Sequence, residues 1–409
     1  MKALRNYLDK IKPNFEEGGK FHWLYSTYDA VETFLYVPNI TSRSGVHIHD
    51  ARDSKRTMII VVIALLPALI VGMYNVGLQH YMAIGQEVGT FTMFLFGLLA
   101  ILPQLIVSYV VGLGIEFAIA QVRKVEVAEG FLVSGILIPM ILPIDTPLWM
   151  IAVATAFAVI FAKEVFGGTG YNIFNVALVA RAFLFFSYPS KMSGDQVWVR
   201  TGDTFGIGAG QIVDTYSGAT PLGQIGVSEI TSFSDVTFTG VIGQKLSISD
   251  MFFGFIPGSI GEVSTFAILI GALILILTKV GSWRTMLSVF LGGIVTVLLI
   301  NALAQNSVME MPPLYHLLLG GFAFGAVFMA TDPVTSARTI KGQWIFGFLI
   351  GLMAVTIRVF NPGYPEGMML AILFMNAFAP LIDFYVVDAN IKRRLKRASA
   401  TSVINNINK

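Results

Sequence analysis

The amino-acid sequence predicts an all-α polytopic membrane protein, with about ten transmembrane helices arranged as two inverted halves of five. Of the 409 residues, 55% are hydrophobic and only 13% are charged, whereas soluble domains carry roughly 25% charged residues. The mean hydropathy is +0.72, and apolar runs near the length that a spanning helix needs recur along the chain. The absence of cysteine excludes disulfides, thiolate metal sites and cysteine-held iron–sulfur clusters.

A basic segment, residues 1–56, precedes the first apolar run and holds nine Lys or Arg residues. It lacks the short hydrophobic centre and the small-residue cleavage site of a secretory signal. We therefore expect it to be retained as a cytoplasmic amino-terminal segment.

Ten apolar segments are candidates for membrane spans. Those of the first half, residues 57–188, lie near 57–78, 91–121, 131–143, 147–166 and 173–188. Those of the second half, residues 251–388, lie near 264–278, 284–304, 314–331, 344–360 and 367–387. The third and fifth segments are short for a crossing and the second is long, which indicates tilting, a kink at Pro103 or re-entrant geometry.

Basic residues concentrate in alternate loops, such as the pair Arg123 and Lys124 after the second span and six Lys or Arg in the tail, residues 389–409. Cytoplasmic loops retain positive charge, so both termini are predicted to be cytoplasmic. The polar interval 189–250 is then extracytoplasmic. An odd number of spans on each side of it makes the two halves run in opposite senses, as in inverted-repeat transport proteins.

Ionisable residues inside spans or at their ends are costly, and their oxygen atoms suit a hard cation such as sodium. The acidic ones are Glu116, Glu164, Asp332 and Asp383 toward the cytoplasmic side, and Glu262 and Glu366 toward the outer side. The alternative is that each pairs with a neighbouring Lys or Arg. Arg181 and Arg358 cannot lose their charge and need an anion, which is either a buried carboxylate or a phosphate or flavin edge. His316 is interpreted as a helix-packing hydrogen-bond partner rather than a metal ligand.

Two glycine-containing loops are candidates for chemistry. The loop 163–175, KEVFGGTGYNIFN, joins the fourth and fifth spans. Its freed backbone amides and its two asparagines match the edge of an isoalloxazine ring, although asparagine also caps helices. The second loop, 214–220, reads DTYSGAT and carries three hydroxyls beside a tyrosine and a carboxylate. By itself such a stretch is typical of a solvated turn.

Several motifs together carry a family resemblance. They are KEVFGGTG at 163–170, RAFLFF at 181–186, DTYSGAT at 214–220, PGSIGEVS at 257–264, ATDP at 330–333 and NPGYPEGM at 361–368. The chain resembles the B-subunit family of the sodium-translocating NADH:quinone oxidoreductase, to which the D subunit of the Rnf electron-transfer complex is related. The resemblance covers essentially the whole chain.

The resemblance implies that Thr220 carries flavin mononucleotide (FMN) through a phosphoester bond. A flavin transferase installs the group on the outer side of the membrane, and Asp214 matches the acidic residue of its motif. Ser217, Gly218 and Ala219 complete this expected cofactor-binding stretch.

A second, noncovalent flavin, riboflavin, is also implied, and we expect it near Gly167, Gly168, Asn172 and Asn175, with Arg181 as a further candidate. The family's quinone region matches Gly112 and Gly114, although its Gly-Gly pair reads Gly-Leu-Gly here. The carboxylates implied for sodium passage are Asp29, Glu116, Glu262, Asp332 and Asp383.

The sequence thus predicts a multi-pass subunit of a bacterial inner-membrane complex. The implied partners are a second covalent-flavin subunit, a soluble NADH-oxidising subunit, quinone and Na⁺, with no nucleic acid. One alternative is an Rnf-type D subunit, which would use no quinone. Others are a non-redox channel or secondary transporter, in which the loop around Thr220 is inert, and a purely structural anchor, which would tolerate Asp332→Asn.

Overall fold

The computed structural model describes residues 2–16, 18–36, 45, 54–125, 127, 130–192, 198–200, 202–210, 218–227, 232–361 and 367–407. Within these residues the chain is helical and contains no β-strand; Thr204 with Ile207 and Thr239 with Lys245 form isolated bridges. The predicted all-α polytopic class is confirmed.

The described chain contains seventeen α-helices. Those up to residue 192 are α1 Lys2–Ile11, α2 Tyr25–Leu35, α3 Ser54–Ala83, α4 Thr90–Arg123, α5 Phe131–Ile141, α6 Leu148–Phe157, α7 Val176–Ser187 and α8 Pro189–Met192. Those after it are α9 Pro221–Val227, α10 Ile248–Phe253, α11 Thr265–Leu277, α12 Trp283–Asn301, α13 Ser307–Glu310, α14 Pro313–Leu318, α15 Phe322–Phe324, α16 Ile340–Phe360 and α17 Met368–Ile407. Single π-helical turns, Ala158–Lys163 and Gly325–Met329, extend α6 and α15.

Six of the described helices are long and apolar enough to cross a membrane: Lys55–Ala83, Thr90–Arg123, Leu148–Phe166, Trp283–Asn301, Ile340–Phe360 and Met368–Ala398. The helices α5, α7 and α11 are apolar but only 11 to 13 residues long. The prediction that the third and fifth segments are too short for a full crossing is confirmed.

The eighth predicted span, 314–331, is not one helix, and that prediction is wrong. The chain leaves helical geometry after Leu318, and the two glycines that follow have positive φ angles, 63° at Gly320 and 66° at Gly321. Glycine adopts this conformation without the steric cost that other residues meet. A hydropathy pattern does not reveal the break, because Gly is common in continuous membrane helices as well.

The carboxyl-terminal helix α17 is also longer than predicted, because it runs past 387 into the basic tail as far as Ile407. Its last turns are polar, so their helical form leaves no trace in an apolar pattern. The pairing of Lys392 with Asp388 at 2.7 Å, four residues apart, is typical of such an exposed helical extension.

Side-chain caps define several helix starts. Asn175, Ser264, Ser282 and Thr339 each accept a hydrogen bond from a backbone N–H in the first turn of α7, α11, α12 and α16. These bonds satisfy N–H groups that have no partner inside the helix. The short helices therefore begin at defined residues inside the apolar bundle.

The two halves of the chain pack directly against each other. Asn75 of α3 donates to the carbonyl oxygen of Ile256 at 2.8 Å, and the backbone N–H of Gly261 donates to the carbonyl oxygen of Met140 at 2.8 Å. The loop before α11 therefore lies among helices of the first half. It carries one wall of the pocket described next.

Candidate functional site

Thr220 lines a small pocket, which we call the Thr220 pocket. Its volume is about 360 Å³, and its walls come from three separate stretches of sequence. They are 220–222, the segment 256–263 that contains PGSIGEV, and 319–320 at the helix break. The structure thus places Thr220 of the DTYSGAT motif beside the PGSIGEVS motif.

The Thr220 hydroxyl is half-buried at the start of α9. Its Oγ1 accepts a hydrogen bond of 3.1 Å from the backbone N–H of Gly223. Upstream, the carbonyl oxygen of Gly218 accepts from the N–H of Trp198 at 3.3 Å, and Ala219 is buried. Asp214 and Ser217 lie outside the described residues. The loop therefore places a hydroxyl at the wall of a pocket.

A buried ion pair lies at the base of the Thr220 pocket. Arg181 donates to Glu262 Oε1 at 3.3 Å and to the carbonyl oxygen of Ile141, and only 2% of Arg181 is exposed. Ser259 donates to Glu262 Oε2 at 2.5 Å. The anion of Arg181 in this structure is thus a carboxylate, one of the two alternatives that the sequence left open. Removing one member of such a pair leaves an uncompensated buried charge.

Arg358 stabilises the helix break beside the same pocket. Its guanidinium donates to the carbonyl oxygens of His316 at 2.6 Å, Leu319 at 3.0 Å and Gly320 at 3.3 Å. These carbonyls lie at the carboxyl-terminal end of α14. The last carbonyl groups of a helix have no N–H donor within the helix and carry partial negative charge, so a guanidinium stabilises them. His316 is buried in the same helix, but its ring Nδ1 has no hydrogen-bond partner among the described residues, so the hydrogen-bonding part of that interpretation is not seen at this nitrogen.

A larger cavity lies at the junction of the two halves, and we call it the Asn172 cavity. The space between its walls is about 790 Å³, a figure that includes the open mouth. Its polar lining consists mainly of Ser134, Lys163, Thr169, Asn172, Asn175 and Asp332. Apolar side chains of α3, α5, α11 and the second π-helical turn complete the wall.

The predicted flavin loop forms one side of the Asn172 cavity. Gly167, Gly168 and Gly170 have φ angles of 121°, 98° and 93°, so the loop turns in a conformation that side chains disfavour. Asn172 donates to the carbonyl oxygen of Phe174 at 3.1 Å. The hydroxyl of Thr169 is buried and has no hydrogen-bond partner among the described residues. Thr169 therefore leaves one polar atom of this loop unsatisfied by the described part of the chain.

Asn175 and Asp332 join the two halves at this cavity. Asn175 Nδ2 donates to Asp332 Oδ2 at 3.1 Å, while its Oδ1 caps α7. Asp332 Oδ1 accepts from the N–H of Val334 at 3.0 Å. Asn175 therefore has the capping role that was the alternative to flavin binding, and its amide also holds a carboxylate in the cavity wall.

Glu116 and Lys163 form a second buried ion pair, next to the Asn172 cavity. Each side chain is 4% exposed, and Lys163 Nζ donates to Glu116 Oε1. Oε2 of Glu116, the hydroxyl of Ser108 and Oε1 of Gln104 are buried without hydrogen-bond partners among the described residues. These three residues recur at multiples of four and therefore share one face of α4. The sequence pattern identified only Glu116 of this set.

The other predicted carboxylates have local structural partners. Asp383 accepts from the backbone N–H groups of Arg338 at 2.7 Å and Thr339 at 3.1 Å, so it anchors the start of α16. Glu164 pairs with Arg123 at 3.3 Å. Glu366 lies outside the described residues. In the described part of the chain, no group of three or more His, Asp or Glu side chains is arranged to hold a metal ion.

Asp29 is half-buried in α2, in the amino-terminal segment far along the chain from the other carboxylates. Neighbouring Tyr28 donates to the carbonyl oxygen of Leu8 at 2.9 Å and links α2 to α1. Burial and the nearby Glu32 carboxylate raise the pKa of Tyr28 to about 12, so the phenol stays a neutral donor.

The two glycines expected at the quinone region face different surroundings. Gly112 is buried against the ring of Phe131, where an added Cβ would overlap the ring carbons. Gly114 has no atom within 4 Å of such a Cβ, so its face of α4 is open. The structure therefore does not bring the two glycines together on one surface.

Sequence reasoning missed Ser134, Thr169 and Ser259 as individual residues. Thr169 and Ser259 lie inside motifs that the sequence identified, and Ser259 precedes Glu262 by three residues. Ser134 lies in the apolar segment of α5 and gave no signal.

Comparison with known proteins decides the family. The model of the NQR2, RnfD, RnfE family matches residues 41–392. The chain belongs to this family. It is 45% identical to the B subunit of the Na(+)-translocating NADH-quinone reductase of Chromohalobacter salexigens, over 99% of both chains. It is 44% identical to proteins of the same name from Pseudoalteromonas atlantica, over 97% of this chain and 99% of the relative, and Klebsiella pneumoniae, over 97% and 100%.

These comparisons confirm the resemblance to the B-subunit family that the motifs indicate. The NQR2, RnfD, RnfE family also includes the related Rnf subunits. The relatives that carry the B-subunit name match the chain over almost its whole length, which extends beyond the family region at 41–392.

Proposed function

We propose that this chain is the B subunit of a sodium-translocating NADH-quinone reductase. The full-length similarity to proteins of that name supports it. The subunit lies in the bacterial inner membrane with both termini in the cytoplasm. NADH is oxidised on a soluble partner subunit, a second covalent-flavin subunit delivers the electrons, and quinone accepts them.

The observation that carries the flavin assignment is the position of the Thr220 hydroxyl at the wall of a pocket that it shares with the PGSIGEVS motif. This hydroxyl would hold FMN through a phosphoester bond, and a flavin transferase on the outer side of the membrane would be needed to supply the group. Gly258 and Gly320 keep the neighbouring walls free of side chains. The flavins supply one- and two-electron chemistry when bound, and the protein positions them.

The Asn172 cavity holds the noncovalent riboflavin. Its lining includes Thr169 and Asn172, whose hydroxyl and amide would hydrogen-bond the ring edge. Asn175 and Asp332 fix the distance between the two halves at this site. The cavity therefore depends on contacts across the two halves for its shape.

Sodium passage uses buried oxygen atoms of α4. Glu116 Oε2, Ser108 Oγ and Gln104 Oε1 are hard oxygen atoms on one helix face, and none has a partner in the described part of the chain. The positive charge of Lys163 offsets the negative charge of the Glu116 carboxylate. A cation near Glu116 would compete with Lys163 for the same group.

The proposed function is tested with the whole complex in proteoliposomes. NADH should drive quinone reduction together with sodium uptake into the vesicle lumen. The Ser108→Ala variant should lower sodium uptake per quinone reduced, whereas Thr278→Ala, at the end of α11, should leave this ratio unchanged. Electron transfer between ferredoxin and NAD without any need for quinone would contradict the proposal and favour an Rnf-type subunit.

A further inference from the structure

A groove between α16 and α17 lies apart from both flavin pockets. The two helices pack against each other, and the groove has a volume of about 730 Å³ including its open side. Its α17 wall is formed by Ile382, Tyr385, Val386, Ala389, Asn390 and Arg393. These positions recur every three or four residues and share one helix face. The groove is therefore continuous along about three turns of α17.

The groove has a cationic end and an apolar end. Lys341 and Arg393 lie at one end, and both are exposed. Ile345 lies one turn further into α16, and Val386 and Ile382 lie two and three turns back from Arg393 along α17. The apolar side chains thus extend away from the charges, as the acyl chains of a phospholipid extend away from its headgroup.

Within the described part of the chain, no carboxylate neutralises these two cations. Neither Lys341 nor Arg393 has an ion pair with another described residue. The nearest carboxylates along the chain have other partners, because Asp388 binds Lys392 at 2.7 Å and Asp383 binds the backbone at the start of α16. The amino-terminal end of α16, a helix of 21 residues, adds partial positive charge beside Lys341.

Aromatic residues near the cationic end of the groove indicate that this end lies at the membrane interface. Trp283 at the start of α12 and Trp344 in the first turns of α16 meet edge to face at 5.9 Å. Tyr385 is 63% exposed on the groove wall. Trp and Tyr concentrate where headgroups meet the hydrocarbon core. Lys341 and Arg393 therefore lie at headgroup depth.

From this charge complementarity, we propose that the groove binds an anionic membrane phospholipid. Its phosphate lies between Lys341 and Arg393, and an acyl chain lies along Ile345, Val386 and Ile382. Basic pockets between transmembrane helices bind acidic headgroups in this way. The bound lipid would support the packing of α17 on α16. The proposal is independent of the flavin assignments, since it uses none of the same residues.

The test uses the delipidated whole complex and dioleoylphosphatidylglycerol, with native mass spectrometry as the readout. We expect the double variant Lys341→Gln/Arg393→Gln to bind this lipid about 25-fold more weakly, from roughly fivefold per charge removed. The matched control, Arg394→Gln/Lys396→Gln, removes two charges from the same basic tail outside the groove and should retain the wild-type affinity.

Two further measurements distinguish lipid binding in the groove from nonspecific electrostatic attraction of anionic lipid to the protein. Val386→Trp keeps every charge but fills the apolar end, so it should also weaken lipid binding. Dioleoylphosphatidylcholine should bind weakly, and inorganic phosphate should not displace the bound anionic lipid. Equal loss of lipid in the double variant and its control would overturn the proposal. Failure of the wild-type complex to bind the lipid would also overturn the proposal. A partner subunit that covers the groove would give this result.

Discussion

The Thr220 pocket and the Asn172 cavity differ in how they can retain a cofactor. The first is about 360 Å³ in volume, and the Arg181–Glu262 pair at its base is already satisfied by Ser259 and a backbone carbonyl. The second is about 790 Å³ and has an unpartnered hydroxyl, that of Thr169, in its wall. We therefore propose the smaller pocket, whose ion pair is satisfied within the protein, for the covalently attached group, and the larger cavity for the ligand held without a covalent bond.

The largest effect is expected from breaking the Arg181–Glu262 ion pair, and it tests whether this pair stabilises the folded protein. Glu262→Leu leaves Arg181 buried without its carboxylate, and we expect the free energy of unfolding to fall by about 3–5 kcal/mol. Thermal unfolding in detergent measures it. The double variant Arg181→Met/Glu262→Leu, which removes both charges, should recover much of the loss. Wild-type stability in the single variant would show that the pair is not needed.

A second comparison uses Gly320, which lines the Thr220 pocket, and Gly170, which lies in the loop beside the Asn172 cavity. Gly320→Ala and Gly170→Ala both place a side chain at positive φ, 63° and 93°, at a cost of about 1–3 kcal/mol each. Only at Gly320 would the added Cβ also overlap an atom, Leu222 Cδ1. We therefore expect Gly320→Ala to lower thermal stability more than Gly170→Ala. The reverse order of stability would contradict the expected overlap between the added Cβ at Gly320 and Leu222.

If the Asn172 cavity holds the noncovalent flavin that we propose, changes in its polar lining should lower the affinity for that flavin. Thr169→Val and Asn172→Ala each remove one polar contact, worth about 1 kcal/mol, or roughly fivefold in affinity. Flavin released by acid measures the noncovalent fraction, and the covalent fraction should not change. Thr155→Val is the matched control, since Thr155 also has a buried hydroxyl without a partner among the described residues but does not line the cavity. Equal flavin loss in the control would remove the assignment.

The sequence predicted the parts of the fold that depend on apolar length. The spans at Thr90–Arg123 and Trp283–Asn301 follow directly from their apolar runs. The break at Gly320 was not predictable, because it depends on contacts with Arg358, which lies 38 residues later in the chain. The helical form of the tail after 387 was also missed, because its residues are too polar to resemble a span.

Of the candidate site, the sequence predicted residues but not their grouping. Arg181 and Glu262 were both identified, yet only the fold brings them within 3.3 Å across 81 residues of chain. Lys163 was part of a recognised motif, but its pairing with Glu116 depends on the packing of α4 near the end of the α6 segment. The place of Ser134 in the cavity wall could be recognised only from the structure, because a lone serine in an apolar helix is common.

A covalent flavin at Thr220 is the central claim about this chain. Intact-mass measurement of the protein from a host that has the flavin transferase, together with its Thr220→Ala variant, tests this claim directly. We predict that wild-type protein and the matched Thr239→Ala variant carry the added mass of one phosphoester-linked FMN, and that Thr220→Ala does not. A wild-type mass equal to that of the unmodified polypeptide would contradict the flavin assignment.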